Sequence, residues 1–362
     1  MGPLAVGVVA AVLRLVNLGR PHAVVFDETY YAKDAWSLLR FRVEMDEVDN
    51  HNDLMLSAGD QWRTIEAFSS EAGFIVHPPV GKWTIAVGEY LFGVTPFGWR
   101  FAVAVLSVLA VVIVARAVRR LSRSDAIGTI AGLLLALDGM HIVMGRTALL
   151  DAVLGFWIIV AFSLLLIDRD RSRAKVASDI GQFDVDRVAS GLGPWLGIRP
   201  FRLAAFAALA LAVATKWSGL WFVVAFIALS LVWDVSLRKA IGVDHPWSST
   251  FVRDAIPAAV SALVIVIGVY LLTWSGWLST STGWARNWAD DQAPSPVPNA
   301  LRSLWNYHSQ MWNFHTDLRA QHNYSSNPLS WPLMSRPTSF YYESNGPCAS
   351  DNCSSTVLAL GN

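Results

Sequence analysis

The chain has 362 residues, of which 54% are hydrophobic and only 15% charged, with a mean hydropathy of +0.40. That composition excludes an ordinary soluble domain and places the chain among polytopic membrane proteins. Its 28 basic residues balance 28 acidic ones, so there is no basic excess of the kind that holds nucleic acid, and none is expected as a partner.

Seven apolar stretches are long enough, or nearly so, to cross a bilayer as helices: about 3–19, 99–115, 126–145, 148–167, 201–215, 217–233 and 255–275. The first carries Arg14 and Asn17 but has no basic leader and no small-residue cleavage site, so it reads as a retained span and not a signal peptide. Just beyond it comes Val24-Val25-Phe26-Asp27-Glu28-Thr29-Tyr30-Tyr31. An acidic pair at the mouth of a span is costly near lipid, which argues for chemistry; the plain alternative is a helix start whose acids complement the dipole. The rest of loop 20–98 mixes acids with Trp36, Leu38, Leu39, Trp62 and Phe68, a pattern that predicts short helices lying at the membrane surface.

Further along, Asp138 and His141 fall inside the third predicted span, Arg146 at its end and Asp151 five residues later, where Asp151 is placed to hold the Arg146 guanidinium. Charged residues there are not expected to face lipid. Basic residues gather in 116–125, 168–202 and 234–254, whereas the long loops 20–98 and 276–362 are poor in them. The positive-inside rule therefore puts the long loops, and Asp27 with them, on the extracytoplasmic side of the cell membrane. Loop 276–362 is rich in tryptophan and contains both cysteines, Cys348 and Cys353, whose spacing suits a local disulfide in an oxidising compartment. There is no internal repeat, no glycine-rich phosphate loop and no DxD motif of nucleotide-sugar enzymes.

Several short motifs then fall in a familiar order: Phe26-Asp27-Glu28-Thr29-Tyr30-Tyr31, His77-Pro78-Pro79-Val80-Gly81-Lys82, Gly98-Trp99-Arg100-Phe101, Gly145-Arg146-Thr147-Ala148-Leu149-Leu150-Asp151, Thr215-Lys216-Trp217-Ser218-Gly219, and Tyr307-His308 through His315 to Trp331-Pro332. Together they resemble the protein O-mannosyltransferase family, in its short actinobacterial form without inserted β-trefoil domains. The resemblance implies an all-α, GT-C-type membrane glycosyltransferase with about seven transmembrane helices and two large extracytoplasmic loops. Residues 1–275 would form the transmembrane core with loop 20–98, and 276–362 the second loop. The family usually continues with about four more transmembrane helices, so the sequence is expected to be C-terminally truncated.

The implied reaction moves mannose from a polyprenyl-phosphate carrier to Ser or Thr hydroxyls of exported proteins, with inversion. A hydroxyl is a weak nucleophile and needs a carboxylate to take its proton; the family motif gives that role to Asp27, with Glu28 positioning acceptor or sugar. The departing lipid phosphate needs cations. Arg100, Arg146 and Lys216 lie at the same ends of the spans as Asp27, with His77 and Lys82 as further candidates and Asp151 in support. His308, His315 and His322 recur every seven residues; on a helix that is about 10.5 Å per step, too far for one metal, so they are expected to line a donor or acceptor groove. No obligatory metal is expected, and a divalent cation at the phosphate stays open. Expected partners are the lipid donor, a protein acceptor, membrane lipids and, as a candidate, export machinery. Two other readings stay alive: a GT-C enzyme with a lipid or glycan acceptor, and a channel or inactive fragment that only binds a partner.

Overall fold

A computed structural model describes residues 2–59, 61–179, 191–320, 324–344 and 353–361. Helix α1 (Gly2–Leu15) leads into the first long loop, which folds as α2 (Glu28–Phe41), β1 (Met45–Glu47), α3 (His51–Ala58), β2 (Phe68–Ala72) and α4 (Val80–Phe92). The bundle continues with α5 (Pro96–Ser122), α6 (Asp125–Leu137), α7 (Gly139–Met144), α8 (Leu150–Asp179), α9 (Pro200–Val213), α10 (Gly219–Ala240) and α11 (Pro246–Thr273). Beyond it lie α12 (Ser275–Ser279), α13 (Asn299–Asp317) and a hairpin of β3 (Thr338–Ser344) and β4 (Ser354–Ala359). Helices α5, α8, α10 and α11 are long and apolar enough to cross a membrane, while α1, α6 and α9 are apolar but have 14, 13 and 14 residues.

Local chemistry sets the ends. Thr95 Oγ1 accepts the Gly98 amide at 3.0 Å and Pro96 occupies the first turn of α5, which ends on Arg119, Arg120 and a left-handed Arg123. Ser124 then caps α6 by accepting the Ile127 amide at 3.3 Å, satisfying a donor that the helix itself leaves orphaned. The predicted span 126–145 is not one helix. Asp138 turns to extended backbone and its carboxylate accepts the His141 amide at 2.7 Å, ending α6 and starting α7. Loop 20–98 does contain short helices, of which α2 is largely buried in the protein core, and two antiparallel ribbons, β1 with β2 and β3 with β4, join them.

The core nearest Asp27 is built from Ala32, Ala35 and Trp36 of α2, Ile85 of α4, Trp99 and Val103 of α5, and Leu149, Leu150 and Val153 at the start of α8. Helix α4 lies so close to α5 that a Cβ on Gly88 would sit 2.2 Å from the Gly98 carbonyl oxygen. The last loop packs back on the first, with Trp274, Trp277, Leu304, Tyr307 and Met311 against Val43 and Met45; Tyr307 Oη receives the Ile75 amide at 3.0 Å. Val260, Leu263, Val264 and Leu272 stay exposed along α11, as a lipid-facing helix requires.

At the end of the bundle away from Asp27, a buried ionic network ties four helices together. Arg199 binds Asp168 and Asp234, Arg202 also binds Asp234, and Arg238 pairs with Asp254 at 2.8 Å. A π-helical turn, Phe251–Ala255, delivers Asp254 into that network. Cys353 is disulfide-bonded, and Cys348, the other cysteine of the sequence, lies outside the described residues.

Candidate active site

Asp27 sits at the N-terminus of α2, where its carbonyl accepts the Tyr30 and Tyr31 amides at 3.0 Å each. Its side chain is half-buried, and Glu28 beside it is wholly buried. The two acids therefore have different environments. Glu28 binds Arg100 through both oxygens, at 2.7 and 2.8 Å, and also accepts the Val25 amide at 2.9 Å and the Ala148 amide at 3.0 Å. Arg100 spends its remaining donors on the carbonyls of Leu18, Pro21 and Ala23. A carboxylate with four donors and a guanidinium with all its N–H groups committed have no capacity left for substrate. The sequence expectations for these two residues are thus corrected: the Glu28–Arg100 pair joins α2, α5 and the start of α8 and holds the turn that presents Asp27.

Arg146 is corrected too. Its guanidinium donates to the carbonyls of Leu13, Arg14, Val16 and Asn17, closing the C-terminus of α1, where a cation complements the helix dipole. Asp151 consequently does not pair with it. It meets Lys216 at 2.9 Å, with the two side chains 44% and 29% exposed. Of the three cations expected at the phosphate, Arg100 is buried and Arg146 is partly exposed but tied to α1, whereas Lys216 is 29% exposed and, bonded to one carboxylate, its ammonium retains two further donors.

Lys82 is buried against Glu44 and donates to the His77 carbonyl at 3.0 Å, so it fixes the backbone of His77. Nearby, Lys33 pairs with Glu47 at 2.6 Å, and burial pushes the Asp34 carboxyl up to about 6 against the opposing pull of Lys82 and Lys33. The His77 ring stacks on His315 at 5.2 Å and lies 6.1 Å from Tyr31. His315 in turn holds the Val76 carbonyl at 2.9 Å and faces Trp217 at 6.2 Å. Burial, then Lys216, His315 and Lys82, bring His77 down to about 3, so the ring is neutral near pH 7. Burial and the charges of Asp27 and Asp151 push the Tyr31 hydroxyl up. Asp27 and Asp151 act on Tyr31, and Lys216 and His315 act on His77, whose ring lies against Tyr31, so these six side chains fall in one neighbourhood.

His308 takes another part. Trp217 Nε1 donates to Tyr270 Oη at 3.0 Å, Tyr270 Oη lies 2.7 Å from His308 Nε2, and His308 Nδ1 lies 2.7 Å from the Leu304 carbonyl. The carbonyl requires a proton on Nδ1, so Nε2 accepts from the tyrosine. With both nitrogens occupied, His308 anchors Trp217 beside Lys216 and does not offer itself to a phosphate. His322 lies outside the described residues, and among the described residues no group of three or more His, Cys, Asp or Glu is placed to hold a metal.

Two grooves lie beside these residues, one at Trp217 and the other at Asp151. One of about 510 Å³ is lined by Trp217, Leu220, Trp305, His308 and Trp312. The other, about 300 Å³, runs from Asp151 past Asp138 and His141 to Phe156 and Ile159. Tyr31, Glu44, Trp217 and Tyr270 were not singled out from the sequence as site residues. Trp217 lay inside the Thr-Lys-Trp-Ser-Gly motif and could have been, whereas Glu44 and Tyr270 had no local signal.

A helical membrane bundle whose first long loop carries an acidic pair at the start of a helix is the architecture of GT-C-type glycosyltransferases. The family model for dolichyl-phosphate-mannose-protein mannosyltransferase matches residues 4–183, and that for the C-terminal four-transmembrane region of protein O-mannosyltransferase matches residues 300–362. The polyprenol-phosphate-mannose–protein mannosyltransferase of Mycolicibacterium smegmatis is 37% identical over 366 residues, covering 97% of this chain and 66% of that protein. The enzyme of the same name from Mycobacterium tuberculosis is 37% identical over 368 residues, with 97% and 65% covered. The chain belongs to the protein O-mannosyltransferase family and spans just under two thirds of the length of these relatives. The Pmt1-Pmt2 protein O-mannosyltransferase complex of S. cerevisiae, solved bound to its sugar donor, superposes with a TM-score of 0.54 at 20% identity, covering 82% of this chain and 37% of that one; at that identity the likeness shows the shared fold.

Proposed function

We propose that the chain carries the catalytic part of an enzyme that transfers mannose from a polyprenyl-phosphate-mannose donor to Ser or Thr hydroxyls of proteins, on the extracytoplasmic face of the cell membrane. The observation that carries this reading is the placement of the acidic pair: Glu28 is wholly buried and bound by Arg100, while half-buried Asp27 lies close enough to Tyr31 for its charge to push that hydroxyl up, with the Tyr31 ring against His77. The names of the relatives supply the donor and acceptor classes.

In this reaction the acceptor hydroxyl oxygen attacks the anomeric carbon from the side opposite the phosphate. Asp27 takes the hydroxyl proton as that bond forms. The bond from the anomeric carbon to the phosphate oxygen breaks, the lipid leaves as its phosphate, and configuration inverts in a single displacement. Lys216 stabilises the negative charge gathering on the phosphate. Neutral His77 and the Tyr31 hydroxyl offer uncharged hydrogen-bonding edges for sugar, and the aromatic groove along Trp217, Trp305 and Trp312 suits an apolar prenyl chain. The step balances without a resident metal, and transfer is expected to persist in EDTA.

Transfer of radiolabelled mannose from polyprenyl-phosphate mannose to a Ser/Thr-rich peptide, by membranes containing the chain, tests the proposal. Asp27→Asn is expected to lower kcat by about 10²- to 10⁴-fold with the fold intact. Equal transfer by parent and variant would remove Asp27 as the base. Labelling of lipid in place of peptide would favour a lipid or glycan acceptor.

A further inference from the structure

Phe26, immediately before Asp27, has φ of 51°, in the left-handed region that a bulky residue rarely enters. Such a conformation is unfavourable and persists only where the surroundings enforce it. One enforcing contact comes from the far end of the chain. The Phe340 ring lies parallel to the Phe26 ring, with centroids 4.3 Å apart and an interplanar angle of 1°. Phe340 belongs to β3, and the hairpin is irregular there. Ser339 pairs with Leu358 and Tyr341 with Val357, so two steps along β3 match one along β4 and Phe340 is the extra residue. A bulge of this kind redirects a side chain that regular pleating would aim elsewhere. The redirected ring is buried in the core that also contains Val25 and Leu149.

We infer that Phe340 is a positioning residue: by stacking on Phe26 it holds the left-handed turn that sets the direction of the Asp27 carboxylate. The inference rests on the proposed role of Asp27 as the base. It couples the hairpin of the last loop to the first loop across more than three hundred residues of sequence, although Phe340 touches no reacting atom. Glu28 with Arg100 fixes the chain on one side of Asp27, and the Phe26–Phe340 stack fixes it on the other. Loss of the stack leaves the acid present but misdirected, and a displacement of about 1 Å in a reacting group can cost 10²-fold in rate.

The test uses the full chain in lipid nanodiscs, with polyprenyl-phosphate mannose and a Thr-rich peptide. Phe340→Ala is expected to lower kcat by about 10- to 100-fold, with the donor KM changed less than about threefold, and to speed amide exchange in residues 24–31 while exchange along α5 and α8 stays at the parent's rate. Phe340→Tyr, which keeps the stack, is expected to retain both parent behaviours. Glycine enters the left-handed region freely, so in a Phe26→Gly background, where there is no ring to hold, Phe340→Ala is expected to add no further loss. Unchanged exchange at 24–31 in Phe340→Ala, faster exchange with unchanged kcat, or losses that multiply in the double variant would each overturn the inference. Absence of transfer by the parent would count against the proposed reaction alone, because the exchange measurement still decides whether Phe340 holds the turn.

Discussion

Asp151, in the first turn of α8, and Asp168, about five turns further along the same helix, do different work. Asp168 is 4% exposed and bound by Arg199, with Arg202 alongside at 3.6 Å. Asp151 is half in solvent, with Lys216 as its ion-pair partner at 2.9 Å. One residue apart, Glu28 is wholly buried and Asp27 half-buried. In a membrane protein a buried charge has to be fully paired or it does not stay buried. A charge with spare hydrogen-bonding capacity has to reach water or a ligand. Burial against an opposite charge therefore marks the ionic groups that build the bundle, and partial exposure marks those within reach of a substrate.

The sharpest way to break this distinction is at Arg100. Arg100→Met leaves Glu28 buried without its counter-ion and is expected to cost about 3–5 kcal/mol of stability, read as a fall in the thermal midpoint of the detergent-solubilised protein. Adding Glu28→Gln to it should restore much of that loss, since removing both charges abolishes the desolvation penalty; no restoration would mean that the pair is needed for more than charge balance. At the opposite end, Asp234→Asn takes a shared acceptor from Arg199 and Arg202. A loss of about 1–3 kcal/mol is expected, with transfer per folded molecule unchanged. A fall in turnover there would mean that the two ends are coupled.

Lys216→Gln should give the reverse pattern. Its partly exposed pair is worth no more than about 1 kcal/mol to stability, yet transfer should drop about 10²- to 10³-fold if Lys216 stabilises the leaving phosphate. A stability loss as large as that of Arg100→Met, with turnover retained, would reverse the assignment.

The smallest effect concerns His77. Its folded-state value of about 3 lies below the ordinary 6.5 because burial, followed by Lys216, His315 and Lys82, disfavours the cation. The unfolded chain therefore binds the proton more readily. His77's contribution to stability is full above about pH 6.5 and declines as pH falls through 6.5 toward about 3. By NMR the ring should not titrate between pH 8 and 5, and Lys216→Gln should shift its titration upward. A midpoint near 6.5 in the parent would place His77 in solvent and outside the closed aromatic cluster.

Much of this was legible in the sequence, and particular residues show where legibility stopped. The apolar segments and the motif order gave the bundle, its membrane character and the family. Asp138 was visible as a misfit inside a predicted span, but that it would break the helix by capping α7 was not. Arg100, Arg146 and Lys216 were read alike because each is a cation at the same end of a span. What separates them is the number of carbonyls and carboxylates within reach, contributed by α1, the turn at 18–25 and α8. The expected Arg146–Asp151 pair failed for that reason: the carbonyls at the end of α1 claimed the guanidinium.

What the sequence by itself determined is what depends on local runs of residues: where the chain is apolar enough to enter lipid, which ends of the spans carry charge, and which short motifs place Asp27 before α2. What only the tertiary structure decided is which charges are satisfied and which turns are enforced from afar. Glu28 is closed by Arg100 and the Ala148 amide, and Phe26 is held against Phe340. These contacts join segments that sequence separation keeps apart, and hydrogen-bond capacity is spent only once packing has brought the partners together.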